Sequence, residues 1–349
     1  MIHFVQPALF SRLATLGAFF LLLLNTACSS SQTLSKEVAV TKTEAPLKTS
    51  TLHLGIISAA NTQTPTGPIG WAMHTGKFKP ELEKLGIKQL MILNFRNGPD
   101  LNEALVAEKI DVGIYGDTPA IVAKANGIQT RLISQEQVGQ NAWLLAKKNG
   151  PRSIAELKGQ RVATSKGSYM HRYLIGLLKK SGIAEQVTIV HLLPSEAQAA
   201  LERGDIAAIA APTNTGPLLA SKGFPVIDEA VKHPDLLGTS ATVITEAFLA
   251  QYPDLPKKWN QIKQQAVKDI KANPEEYYKF YSQVSGYPID IAKASFSIKQ
   301  FPEEPFSAQG LGLLEGTKKF LVSQKLAKSD FKLKDWILSA DVDTPRVSR

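Results

Sequence analysis

The chain has 349 residues, a formal net charge of +9, 44% hydrophobic residues and one cysteine. A lone cysteine excludes a disulfide framework, and the length suffices for two ordinary domains. The positive charge is dispersed in pairs such as Lys179-Lys180, Lys257-Lys258 and Lys318-Lys319, which excludes nucleic acid as a partner and leaves a mild pull on anionic solutes.

In chain order, Arg12 precedes an apolar stretch from Leu13 to Leu24, the length of a signal-peptide core and too short to cross a bilayer. Leu24-Asn25-Thr26-Ala27-Cys28 resembles the lipobox of bacterial lipoproteins, with the leucine displaced one place from its usual position. The resemblance implies that Cys28 is lipidated and becomes the first mature residue, which anchors the protein outside the cytoplasmic membrane. Residues 1–27 are therefore expected as a signal peptide, and residues 28–50, rich in Ser, Thr, Lys and Glu, as a flexible tether.

From Thr51 the pattern alternates strand and helix. Strands are expected at Leu52–Ile57, Gln89–Phe95, Asp111–Tyr115 and Thr130–Ser134, with helices at Trp71–Leu85, Leu101–Glu108 and Pro119–Ala125. After a Lys/Asn/Gly/Pro corner at Lys148–Pro151, a second series brings strands near Gln160, Val187 and Ile206 and helices at Tyr169–Lys180 and Ser195–Glu202. A further strand, Ala241–Thr245, and amphipathic helices complete the chain. Such alternation predicts parallel or mixed sheets covered on both faces, with ligands beyond the carboxyl ends of the strands. The expected division is one lobe from 51–146 and 240–349 and a second from 147–239.

Three strand-to-helix junctions carry candidate chemistry. At Gly116-Asp117-Thr118-Pro119, Thr118 can cap the helix and Pro119 suits its first turn. At Ser165-Lys166-Gly167-Ser168, Gly167 permits a tight turn, so free helix-start amides and the two serine hydroxyls can converge on an anion. Pro212-Thr213-Asn214 again follows a strand. Serine and threonine at helix starts are by default caps, and His171 is as readily a packed histidine as a ligand. Asp117 either favours the positive end of its helix or holds an amino group of the ligand.

As a set, Phe95-Arg96-Asn97-Gly98-Pro99, Ile110-Asp111-Val112-Gly113, Gly116-Asp117-Thr118-Pro119-Ala120, Ser153-Ile154-Ala155-Glu156-Leu157-Lys158-Gly159 and Lys166-Gly167-Ser168 resemble the periplasmic binding proteins of nitrate, taurine and aliphatic-sulfonate uptake systems. The resemblance runs over about residues 52 to 320. It implies an α/β, type II periplasmic binding protein fold, with two lobes joined by a two-strand hinge around a ligand cleft. It also implies a monomer that hands a small-molecule ligand to an ABC permease and its ATPase. The ligand-facing residues expected on this basis are Ser58, Asn61, Arg96, Asp117, Thr118, Ser165, Gly167, Ser168, His171 and Asn214. Relatives often carry an aromatic and an acidic residue where this chain has Ala210 and Ala211, so a roomier, neutral wall is expected there.

The ligand expected is a small anionic or zwitterionic molecule, an aliphatic sulfonate foremost. Nitrate, a thiamine-precursor pyrimidine, or service to a sensor are the alternatives. No metal-protease, thiol-redox, nucleophile-elbow or P-loop motif is present in the sequence, so neither an enzyme nor a cofactor is expected. The reading of Cys28 predicts that Cys28→Ser moves the protein from the membrane fraction to the soluble exported fraction, measured by fractionation and immunoblot, with ligand binding unchanged.

Overall fold

The computed structural model describes residues 50–58 and 62–338; the signal peptide, Cys28, the tether up to residue 49 and Asn61 lie outside the described residues. In chain order the first half holds β1 (Thr51–Ile57), α1 (Gly67–His74), α2 (Phe78–Glu83), β2 (Gln89–Phe95), α3 (Gly98–Val106), β3 (Val112–Gly116), α4 (Asp117–Ala125), β4 (Thr130–Ser134) and β5 (Val138–Gln140). The chain continues through β6 (Trp143–Ala146), β7 (Arg161–Thr164), α5 (Tyr169–Lys180), β8 (Thr188–His191), α6 (Pro194–Arg203), β9 (Ala208–Ala211), α7 (Thr215–Ser221) and β10 (Val226–Glu229). It returns with β11 (Gly238–Thr245) and ends in α8 (Glu246–Gln251), α9 (Leu255–Ala272), α10 (Pro274–Ser285), α11 (Ile289–Ser295), α12 (Ala308–Ser323) and α13 (Leu333–Trp336).

Two mixed sheets result. The first has the order β2-β1-β3-β11-β4, with β5 paired to β11; β1 runs parallel to β2 and β3, and β11 runs antiparallel to β3 and β4. The second has the order β10-β6-β9-β7-β8. Helices cover both faces of each, because its central strands are apolar on both sides. One face of the first sheet buries Leu52, Leu54 and Ile56 against Trp71, Trp259 and Tyr277. The other buries Val243 and Tyr115 against Leu101, Ile121 and Leu314. In the second sheet Leu144 and Val162 pack on Tyr173 and Leu177, while Leu145 and Ala163 pack on Leu201 and Leu219.

Three differences from the sequence expectation have local causes. The single helix expected over Trp71–Leu85 is two, because Gly76 turns into the left-handed region at φ +71° and α2 restarts at Phe78. Trp143–Ala146, expected at the end of the first lobe, pairs antiparallel with β9 and β10 in the second sheet, so the chain crosses at Asn141-Ala142. Ala210 and Ala211, expected on the ligand wall, are buried in opposite cores of the second sheet, since β9 is a central strand with both faces covered.

The two crossings lie side by side. β5 pairs with the start of β11, and Asn141 ties the crossings together by accepting from Val231 N at 3.1 Å and donating to Glu229 Oε2 at 3.2 Å. At the first crossing Ala230 N donates to Ala142 O at 2.8 Å. The sequence between them, 230–237, forms two short 3-10 turns that lead into β11.

Candidate functional site

A cleft of about 650 Å³ opens where the carboxyl ends of the strands face one another across the crossings. The first lobe supplies the ends of β1 and β3, the corner Arg96-Asn97-Gly98, and Glu136 and Gln137 after β4. The second supplies Ser165, the start of α5, the Leu193-Pro194-Ser195 corner and the Pro212–Thr215 region. The third wall is aromatic: Tyr277 and Tyr281 on α10, then Tyr287, Phe296 and Phe301. Tyr281 and Phe296 have ring centroids 4.7 Å apart, and Tyr277 and Phe301 5.4 Å, so these rings form one contiguous apolar surface.

Helix α1 is set against this wall by its partners. Trp71 Nε1 donates to Asp269 Oδ2 of α9 at 3.0 Å. Gly70 allows the preceding loop to press on the helix, for a Cβ there would lie 1.7 Å from Pro65 O. The start of α1 therefore lies at the cleft, with Thr66 and Gly67 on its wall.

The start of α5 is more self-contained than its sequence predicts. Ser168 caps the helix, accepting from His171 N at 3.3 Å while its hydroxyl donates to Ser165 O at 2.6 Å. Lys166 N donates to His191 Nδ1 at 3.0 Å and Gly167 N to His171 Nδ1 at 3.3 Å. The remaining first-turn donors are the amides of Tyr169 and Met170, and both residues line the cleft. Burial, with Lys166 and His191 nearby, pushes the His171 pKa down to about 4. His171 is a neutral acceptor that shapes the turn.

Of the residues expected to face a ligand, Ser58, Arg96, Ser165, Ser168 and Asn214 reach the cleft wall. Ser58 N donates to Phe95 O at 3.0 Å, which fixes the end of β1 beside β2. Arg96 pairs with Glu196 of α6 at 2.9 Å, and Asn214 bonds the Tyr281 hydroxyl at 2.6 Å, so both link one lobe to the other. Thr215 and Tyr287 add a third such link at 3.2 Å. Gly167 stands off the wall, at φ +80°, where a Cβ would meet Pro99 Cγ at 3.1 Å.

Asp117 and Thr118 need correction. Helix α4 starts two residues earlier than expected, with Gly116 at the cap position, so Thr118 is not a cap. Both residues are buried off the cleft wall. Asp117 Oδ1 accepts from Thr118 N at 2.6 Å and from its hydroxyl at 3.0 Å, and Oδ2 accepts from Thr317 Oγ1 of α12 at 3.0 Å. Arg172 of α5 stands 3.9 Å away, fully buried, and its guanidinium also donates to Asp235 O, Leu236 O and Leu237 O. Burial raises the Asp117 pKa, and Arg172, Thr118 and Thr317 pull it back. Asp117 is a structural carboxyl group between lobes.

Sequence reasoning passed over Glu136 and the aromatic wall. Gln135-Glu136-Gln137 reads as a polar loop, and Tyr277 and Tyr281, one helical turn apart, read as a core stripe.

Two sheets with paired crossings and a cleft at their strand ends define the fold of the type II periplasmic binding proteins. Residues 84–277 match the family described as NMT1/THI5 like, and the chain belongs to that family. A putative aliphatic sulfonates-binding protein of Bacillus subtilis (strain 168) is 30% identical over 225 residues, covering 64% of this chain and 68% of that protein. One of the same description from Escherichia coli (strain K12) is 35% identical over 117 residues, 33% of this chain and 37% of its own length. Among solved structures, the alkanesulfonate-binding protein of Xanthomonas axonopodis pv. citri bound to MOPS superposes with a TM-score of 0.68 at 22% identity, over 84% of this chain and 99% of that one. The desulfurization enzyme DSZB shares the fold with a TM-score of 0.66 at 16% identity, over 83% and 96% of the two chains.

Two outcomes follow from this geometry. Asp117→Ala leaves Arg172 buried without its anion, and is expected to lower unfolding free energy by about 3–5 kcal/mol in urea titration. His171 has a folded pKa of about 4 against an ordinary 6.5, so the unfolded state binds the proton first and stability falls as pH drops from 6.5 towards 4. His171→Asn keeps an acceptor for Gly167 N without that titration, and its urea midpoint should fall less than the parent's between pH 7 and 4.5.

Proposed function

We propose that this protein is an extracytoplasmic binding protein that captures a small organic sulfonate and delivers it to an ABC permease with its ATPase. The observation that carries the reading is the pairing, within one cleft, of the amide-bearing start of α5 with the aromatic wall of α10 and its successors. A sulfonate needs hydrogen-bond donors for its oxygens at one end and apolar cover for its tail at the other. Helix-start amides meet the first need without a full cation, and the cluster of edge-packed and tilted rings meets the second. The description of the Bacillus subtilis relative as a sulfonate binder supports the same chemistry.

The head group is assigned to the Tyr169 and Met170 amides, flanked by Ser165 and Ser168. Ser58, Arg96 and Asn214 complete the surround, Arg96 at the lobe-to-lobe contact rather than as a free cation. Tethering through a lipidated Cys28 is part of the proposal, as is a role in uptake rather than turnover. Because a desulfurization enzyme shares the fold, turnover is worth measuring directly.

The test is titration calorimetry of the mature protein with butane-1-sulfonate, nitrate, sulfate and an aminopyrimidine, alongside an assay for released sulfite. The expected result is a Kd near or below micromolar for the sulfonate, about 8 kcal/mol of binding free energy, with no sulfite formed. Preference for nitrate or the pyrimidine would overturn the ligand assignment, and sulfite release would overturn the non-catalytic role.

A further inference from the structure

Glu136 is on the cleft wall, yet a carboxylate is the wrong charge to greet an anion. It follows β4, is 4% exposed, and its backbone is fixed by Glu136 N donating to Ser240 Oγ at 2.7 Å. Its Oε2 accepts from Ile69 N in the first turn of α1 at 3.2 Å, and Oε1 lies 3.5 Å from the Thr242 hydroxyl that donates to it. Gly67 N, at the same helix start, donates to the Tyr277 hydroxyl at 3.2 Å, and Pro68 has no N–H to offer. A second helix start thus meets the cleft, and the protein has already filled it with its own anion.

The charge is not cancelled by a close partner. Among the described residues no cation forms an ion pair with Glu136; Lys263 attracts it from behind, but the Lys263 ammonium is held by Gln135 O at 3.0 Å and Glu304 O at 2.5 Å. Burial pushes the Glu136 pKa up, and Lys263 and the Ile69 amide pull it back. Among the described cleft-lining residues Arg96 is the only lysine or arginine, and it is paired with Glu196. The wall around Glu136 therefore meets a second anionic group with a carboxylate and, apart from Arg96, with no lysine or arginine on the cleft lining; the Lys263 ammonium is not among the lining residues.

We infer that Glu136 is a specificity-determining residue that limits the ligand to one anionic group, because its carboxylate occupies the α1 helix start where a second anion would otherwise settle. The inference rests on the anion reading proposed above. The head group is directed to α5, and the far end of the ligand must be uncharged or positively charged. A dianion of the same length meets Coulomb repulsion in a poorly solvated site.

The test is a charge series at constant chain length: butane-1-sulfonate, 4-aminobutane-1-sulfonate and butane-1,4-disulfonate, titrated by calorimetry into the parent and into Glu136→Gln. The parent should bind the disulfonate at least about 30-fold more weakly than butane-1-sulfonate, a like-charge penalty of modest screened size. It should bind the amino compound no more weakly than butane-1-sulfonate. In Glu136→Gln the disulfonate-to-monosulfonate ratio should shrink below about 5-fold, since the amide keeps an oxygen for Ile69 N but carries no charge. That ratio is insensitive to a general loosening of the cleft, which would weaken both ligands together. An unchanged ratio in the variant would overturn the role of Glu136. Equal binding of mono- and disulfonate by the parent would overturn the charge filter without recourse to any variant, so an unstable variant does not protect the idea. Failure of all three sulfonates would instead overturn the anion reading, and this inference with it.

Discussion

The guanidinium of Arg172 sits where three pieces of the chain meet, and the two-lobed arrangement depends on that meeting. It projects from α5 in the second lobe and donates to the carbonyls of Asp235, Leu236 and Leu237, the last residues of the crossing before β11. Its counter-charge, Asp117, opens α4 in the first lobe and is held in turn by Thr317 of α12. A buried guanidinium without acceptors, or a buried carboxylate without donors, is far costlier than either exposed, so the contact constrains all the backbone it touches. Asp117 looked in the sequence like a residue for a ligand. Its donors are instead supplied by the fold, and its work is to set where one lobe stands against the other.

The same economy appears at the helix starts around the cleft. α1 is stopped with Glu136 and Tyr277, and the approach to α5 with His171, His191 and the Ser168 cap. Most orphan amides at these ends are satisfied by the protein's own acceptors, as buried backbone groups require. What is left over is small and directional: two amides on one side, rings on the other, a single carboxylate at the back. Under the proposed function, recognition would rest on a few residual donors rather than on a field of cations, despite the basic composition of the chain.

The limits of the sequence are visible in particular residues. Gln89–Phe95, Thr130–Ser134 and Tyr169–Lys180 appear with the bounds expected of them, because each is periodic and ends at a turn or cap. β5 and β10 escaped notice, being three and four residues long. The pairing of β5 with β11 spans about a hundred residues, and no local pattern encodes it. Of the residues in the strand-to-helix motifs, Ser165, Ser168 and Asn214 lie on the cleft wall. Which groups in those motifs remained available was not legible, since His171 Nδ1, His191 Nδ1 and Ser165 O come to the turn through folding. Glu136 and Tyr277 are the converse case: ordinary in sequence, consequential only once α1 is seated beside them.

The contacts that join the lobes at the cleft, Arg96 with Glu196, Asn214 with Tyr281 and Thr215 with Tyr287, are protein to protein. Under the proposed function, a ligand enclosed behind them would not leave by breaking its own contacts alone; these bonds would have to part first. Residence time then has a floor set by the rate at which the lobes separate, common to every ligand that fits, while differences among ligands are compressed into how often they rebind before the gap widens. A receiving membrane protein that competes for the Arg96 or Glu196 side chain, or for the Tyr281 hydroxyl, would accelerate release without touching the ligand at all. Arg96, Asn214 and Tyr281 would thus take part both in enclosing the ligand and in timing its hand-over.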